Sequence, residues 1–79
     1  MPMPAYDRDV YSRHFARLLN KALKKGGGDP AQALAWLDTK YRLLLALLFS
    51  RHKLEMADAF MDAREHIIKR IQIVEDNEN

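Results

Sequence analysis

The side chains of this 79-residue chain that could do chemistry are few, and most are spaced as helix surface. Its histidines are His14, His52 and His66. His52 and His66 would share a face if they lay on a single helix, with Glu55 and Asp62 near enough to add carboxylates. A di-metal bundle uses the tighter Glu-x-x-His pattern, which is missing here. Asp62 and His66 read more simply as a helical surface pair. The hydroxyls of Ser12, Thr39, Ser50 and the tyrosines sit neither in a nucleophile elbow nor beside a glycine-rich anion loop. Gly26-Gly27-Gly28 precedes a helix start, where a phosphate could sit, but Asp29 repels an anion there and no P-loop Lys-Ser/Thr follows. The reading is therefore non-enzymatic, with no catalytic residue, no metal and no cofactor.

Two groups of residues remain as candidates for binding. Arg13, Arg17, Lys21 and Lys24 form a basic row that could track phosphates or meet an acidic partner; as plain surface, it is the solvated side every amphipathic helix needs. Nothing resembling a helix-turn-helix accompanies the row, so any nucleic-acid contact would be mainly to the backbone. The second group is Trp36 with Leu43 and Leu47. An aromatic anchor flanked by leucines has the composition of an interface centre. The same face could instead pack on a third helix within one chain. Met56 belongs to a helical stripe and reads as core, although methionines also suit adaptable binding surfaces.

The elements that must position these groups are helices. The first is expected over residues 7–25, with Asp7 or Asp9 in its first turn and Lys24 and Lys25 in its last, matching the dipole. Tyr11, Phe15, Leu18 and Ala22 recur at the spacing of one helical face, widened by Leu19 and Leu23. The triple glycine ends this helix and gives a flexible turn. Asp29-Pro30-Ala31-Gln32 then starts another, with a capping side chain, a proline at the first helical position and a capping-box glutamine. From Ala31 onward, 49 residues contain neither glycine nor proline. Residues 30–49 carry one stripe of Leu34, Leu37, Tyr41, Leu44 and Leu48 and a second face of Trp36, Leu43 and Leu47. Asp38, Thr39 and Arg42 fill the wedge left to solvent, with Asp38 and Arg42 as an i,i+4 pair. A helix apolar on two sides needs two partners.

Residues 54–74 supply a third stripe, Met56, Phe60, Ala63, Ile67, Ile71 and Val74, with Glu65 and Lys69 paired on the surface. No breaker separates this segment from the one before. Yet its stripe is rotated by roughly 80° from the previous one at 100° per residue, more than supercoil drift accommodates. A turn near Ser50 follows, so a three-helix bundle is favoured over a hairpin with one long C-terminal helix. Residues 1–6 are read as a flexible N-terminus. The acidic tail 75–79 is read as frayed, because the dipole disfavours negative charge at a helix C-terminus.

Seventy-nine residues make one domain with a thin core, and with no cysteine available, dense packing or self-association must reinforce it. Residues 1–25 hold six basic and two acidic side chains, and residues 26–79 hold seven and nine, so charge is polarised along the chain. The longest apolar run, Leu43 to Phe49, is seven residues, against the ~20 of a membrane span. The Met-Pro-Met-Pro start lacks the features of a signal or transit peptide. These observations predict a soluble, cytoplasmic, all-α chain that dimerises. The expected role is a protein-binding module: an adaptor, chaperone or inhibitor of the kind found among small phage and plasmid accessory proteins. Trp36, Leu43 and Leu47 would form its interface, and its partner would be itself or an acidic protein. The alternative is a small nucleic-acid-binding regulator acting through Arg13, Arg17, Lys21 and Lys24.

Overall fold

A computed structural model describes the backbone of residues 6–50 and 54–78 and the side chains of residues 6–42 and 54–77. Three helices follow one another: α1 (Arg8–Lys25), α2 (Pro30–Ser50) and α3 (Leu54–Glu78). Each packs on both others, most extensively α1 on α3. The separation of α2 from α3 agrees with the change of stripe phase near Ser50. The leucines at 44 and 48, and the polar patch 51–53, lie outside the described side chains or residues.

Both ends of the α1–α2 hairpin are set by local chemistry. Asp7 caps α1 from outside the helix, its Oδ1 accepting from the N–H groups of Asp9 at 3.0 Å and Val10 at 3.3 Å. At the other end the Gly27 N–H donates to the Lys24 carbonyl and the Gly28 N–H to the Leu23 carbonyl. This is a Schellman ending, and Gly27 supplies its left-handed residue at φ 61°. The three glycines are thus a defined turn, where the sequence suggested a flexible one. Asp29 opens α2, with its Oδ1 accepting from the Ala31 N–H at 3.1 Å.

Contacts between helices give their directions. Asp7, Tyr11 and Phe15 meet Glu55, Asp62 and His66 in the same order, so α1 and α3 run parallel. Asp38 and Tyr41 meet Arg64 and Phe60 in the reverse order, so α2 is antiparallel to α3. The bundle is up-down-up. Its core is Leu18 and Ala22 from α1, Ala33 and Leu37 from α2, and Ala59, Phe60, Ala63 and Ile67 from α3. The expected stripes account for most of this. The alanines Ala33, Ala57 and Ala59, all fully buried, were not among the expected core residues. Small side chains at these positions let the backbones approach closely, which a search for large apolar residues overlooks.

Three boundary expectations change. Tyr6, read as part of a flexible start, is docked on α3 through a hydrogen bond to Asp58 at 2.9 Å and a ring contact with Tyr11. Residues 1–5 lie outside the described residues. The C-terminal helix runs on through the acidic residues to Glu78, four beyond the expected end at Val74. Continued backbone hydrogen bonding outweighs the dipole penalty of about 0.3–1 kcal/mol for an exposed charge. Val74, placed in the third stripe, is 45% exposed.

Candidate functional site

The basic row stands where its spacing put it. At 100° and 1.5 Å per residue, Arg13, Arg17, Lys21 and Lys24 occupy a sector of about 80° and an axial span of about 16 Å. All four are exposed, on the side of α1 away from the buried Leu18 and Ala22. The Arg13 Nε donates to the Asp9 carbonyl at 3.3 Å, which leans its guanidinium along the helix. The Arg17 guanidinium meets the His14 Nδ1 at 2.9 Å. Among the described residues, neither Lys21 nor Lys24 has a carboxylate partner. Val10, Arg13, His14 and Arg17 border an open depression of about 410 Å³.

The carboxylates are elsewhere, along the seam between the N-terminal halves of α1 and α3. Tyr6 donates to Asp58, Tyr11 donates to Asp62, and the Asp7 N–H donates to Glu55 at 3.1 Å. Two parallel helices bring two positive dipole ends together, and acidic side chains offset that repulsion. The seam also raises the phenols above their ordinary pKa. Partial loss of solvent and the hydrogen bond to Asp58 push Tyr6 up to about 12. For Tyr11 the hydrogen bond to Asp62 is the chief cause, followed by desolvation. Asp62 is therefore engaged by Tyr11, where the sequence suggested a surface pair with His66. His66 instead lies edge-on to Phe15 and accepts from the Arg70 Nε at 3.1 Å, which requires an unprotonated Nε2. Of the loose group His52, His66, Glu55 and Asp62, three face α1: Glu55 accepts from the Asp7 N–H, Asp62 from Tyr11, and His66 meets Phe15. His52 lies outside the described residues. Among the described residues no group of three His, Asp or Glu side chains could hold a metal ion.

On the other side of α3, the Arg64 Nε donates to the Asp38 Oδ1 at 2.9 Å, an ion pair about two-thirds shielded on the Asp38 side. Asp38 was expected to pair with Arg42 at the solvent wedge. It is half-buried and bonded across to α3 instead, because the antiparallel register brings Arg64 opposite it. Arg42 borders the same groove with Phe60 and Met61.

Trp36 is half-buried. Its ring makes an edge contact with Tyr41 at 5.6 Å, and Tyr41 in turn touches Phe60 at 6.1 Å. It packs against the core and keeps part of its surface outside. Leu43 and Leu47, its expected companions, lie outside the described side chains. The tyrosine–carboxylate seam and the Asp38–Arg64 pair were not anticipated. The i,i+4 row Asp58, Asp62, His66 was a visible signal, but nothing local shows that two tyrosines cover it.

Fold and surface together define an all-α, three-helix protein with no helix, among the described residues, long and apolar enough to cross a membrane. Compared with known protein families, with characterised proteins and with solved structures, the chain matches none.

Proposed function

We propose that this chain is a non-catalytic helical interaction module, an adaptor, chaperone or inhibitor that binds protein through the apolar C-terminal half of α2 and associates with itself there. The observation that carries the reading is that α2 remains helical through Ser50 across the seven-residue apolar run Leu43 to Phe49. At 100° per residue, seven successive positions go almost twice round the helix axis, whereas a three-helix bundle offers α2 two neighbours. The part-exposed Trp36 lies about two helical turns before this run, in the N-terminal half of α2, and supplies an aromatic anchor beside it.

The test is solution mass by light scattering across a dilution series, with Leu43→Asp and Trp36→Ala beside the parent chain. A species near twice 9.2 kDa that Leu43→Asp reduces to monomer, with helicity retained, supports the reading. Trp36→Ala is expected to weaken association and, because the ring also packs on the core, to lower stability. A monomer at every concentration, or association indifferent to both substitutions, removes it.

A further inference from the structure

The outer face of α1 has a use that self-association through α2 leaves open. We propose that Arg13, Arg17, Lys21 and Lys24 bind the phosphate backbone of a nucleic acid without reading its sequence. The fold separates charge by face. Cations project from the side of α1 opposite its buried stripe, while Glu55, Asp58 and Asp62 are drawn to the seam by Asp7, Tyr6 and Tyr11. Among the described residues no ion pair joins a carboxylate to the basic row; Asp9, one turn before Arg13, meets it through its backbone carbonyl.

The composition of that face chooses between two acidic partners. Among the described residues the exposed large apolar side chains are Tyr6, Leu54, Met61, Ile73 and Val74, and none of them is on α1. The exposed residues of α1 are charged or small polar side chains with Ala16, and the part-buried Val10 is the aliphatic residue beside Arg13 and Arg17. A protein interface draws its energy from buried aromatic and aliphatic anchors, with charge at the rim. A phosphate backbone asks only for well-placed cations and hydrogen-bond donors. Along the duplex axis a span of about 16 Å holds roughly nine phosphates of the two strands, at one per about 1.7 Å, more than the four cations need.

Four neutralised phosphates give a salt dependence of log K on log[salt] of about −3.6 on duplex DNA, or an affinity loss of about 150-fold between 50 and 200 mM salt. The experiment is fluorescence anisotropy of a short labelled duplex of random sequence, titrated with the full chain at several salt concentrations. Arg13→Gln with Arg17→Gln should halve the slope to about −1.8, and Arg13→Glu with Arg17→Glu should abolish binding. Circular dichroism confirms that each variant stays helical, and Lys21→Gln with Lys24→Gln serves as an independent pair. No binding at low salt, a slope near zero, or unchanged binding by the Glu variant overturns the proposal. Preference for a poly-glutamate chain over duplex overturns it in favour of an acidic protein. Because Leu43→Asp tests association by mass and the arginine variants test duplex binding, either reading can fail while the other stands.

Discussion

Substituting Gly26 by alanine should damage this fold more than the same change at Gly27 or Gly28, although only the latter two occupy left-handed backbone. Gly26 sits at φ −80°, ψ −3°, a conformation open to any residue. By backbone preference alone, alanine there would stabilise by about 0.4–1 kcal/mol through a less mobile unfolded chain. Packing reverses the sign. A Cβ on Gly26 would lie 2.6 Å from the Ala33 nitrogen, 2.9 Å from its Cα and 2.8 Å from the Asp29 carbonyl oxygen. These are backbone atoms of the first turn of α2 and its cap, so no rotamer change relieves the clash. Relief requires moving the start of α2, which carries the fully buried Ala33 and Leu37 with it. Overpacking costs typically run about 1–3 kcal/mol, and backbone atoms place this case toward the upper end. A net loss of about 2 kcal/mol follows, or a Tm lowered by about 8–16 °C for a domain of this size. At Gly27, φ 61°, and Gly28, φ 88°, a Cβ would meet nothing within 4 Å. Strain in the left-handed region is then the cost, about 1–2 kcal/mol, offset by the same unfolded-chain gain. Thermal and urea unfolding of the three alanine variants, followed by far-UV circular dichroism at one fixed protein concentration, gives the ranking. If Gly26→Ala is no less stable than Gly27→Ala, the close approach of α1's end to α2 does not limit this hairpin.

Among the described residues Leu37 and Ile67 are the largest fully buried side chains, and either one changed to alanine should cost about 2–5 kcal/mol, read as a shift of the urea midpoint at constant slope. The phenols give an alkaline limit. A tyrosine that holds its proton more tightly folded than unfolded contributes its full stabilisation below pH 10 and loses it as pH climbs toward about 12. Tyr6→Phe with Tyr11→Phe should therefore flatten the fall of the urea midpoint above pH 10, and an equally steep fall would disprove the seam's role. Asp38→Ala should cost no more than about 1 kcal/mol, because the Asp38–Arg64 pair is partly open to solvent. A much larger loss would mean that Asp38 supports more than one ion pair.

The ends of α1 and the start of α2 were legible because they depend on neighbours in sequence. Asp7, Gly26 to Gly28 and Asp29-Pro30 act within a turn of the groups they satisfy, and the stripe from Tyr11 to Ala22 reports one helix face through its spacing. The third helix was legible only through a phase argument, since no glycine or proline stands between Ser50 and Leu54. The basic row was likewise plain, because exposure on an amphipathic helix follows from lying opposite the apolar face. What Trp36 does could not be read in this way, since its spacing fits an interface or a core equally well. The structure places it between the two, part packed and part exposed.

By itself, then, the sequence determined the ends of α1, the start of α2, the apolar face of α1 and the cations opposite it, all consequences of local hydrogen bonding and the 3.6-residue repeat. Tertiary structure decided which faces meet. Parallel alignment of α1 and α3 set Tyr6 and Tyr11 against Asp58 and Asp62, antiparallel alignment of α2 gave Asp38 to Arg64 instead of Arg42, and close backbone approach chose alanines for the core. Each of those pairings joins residues from different helices, and the register between helices is set by how whole surfaces fit, which no spacing within one helix encodes.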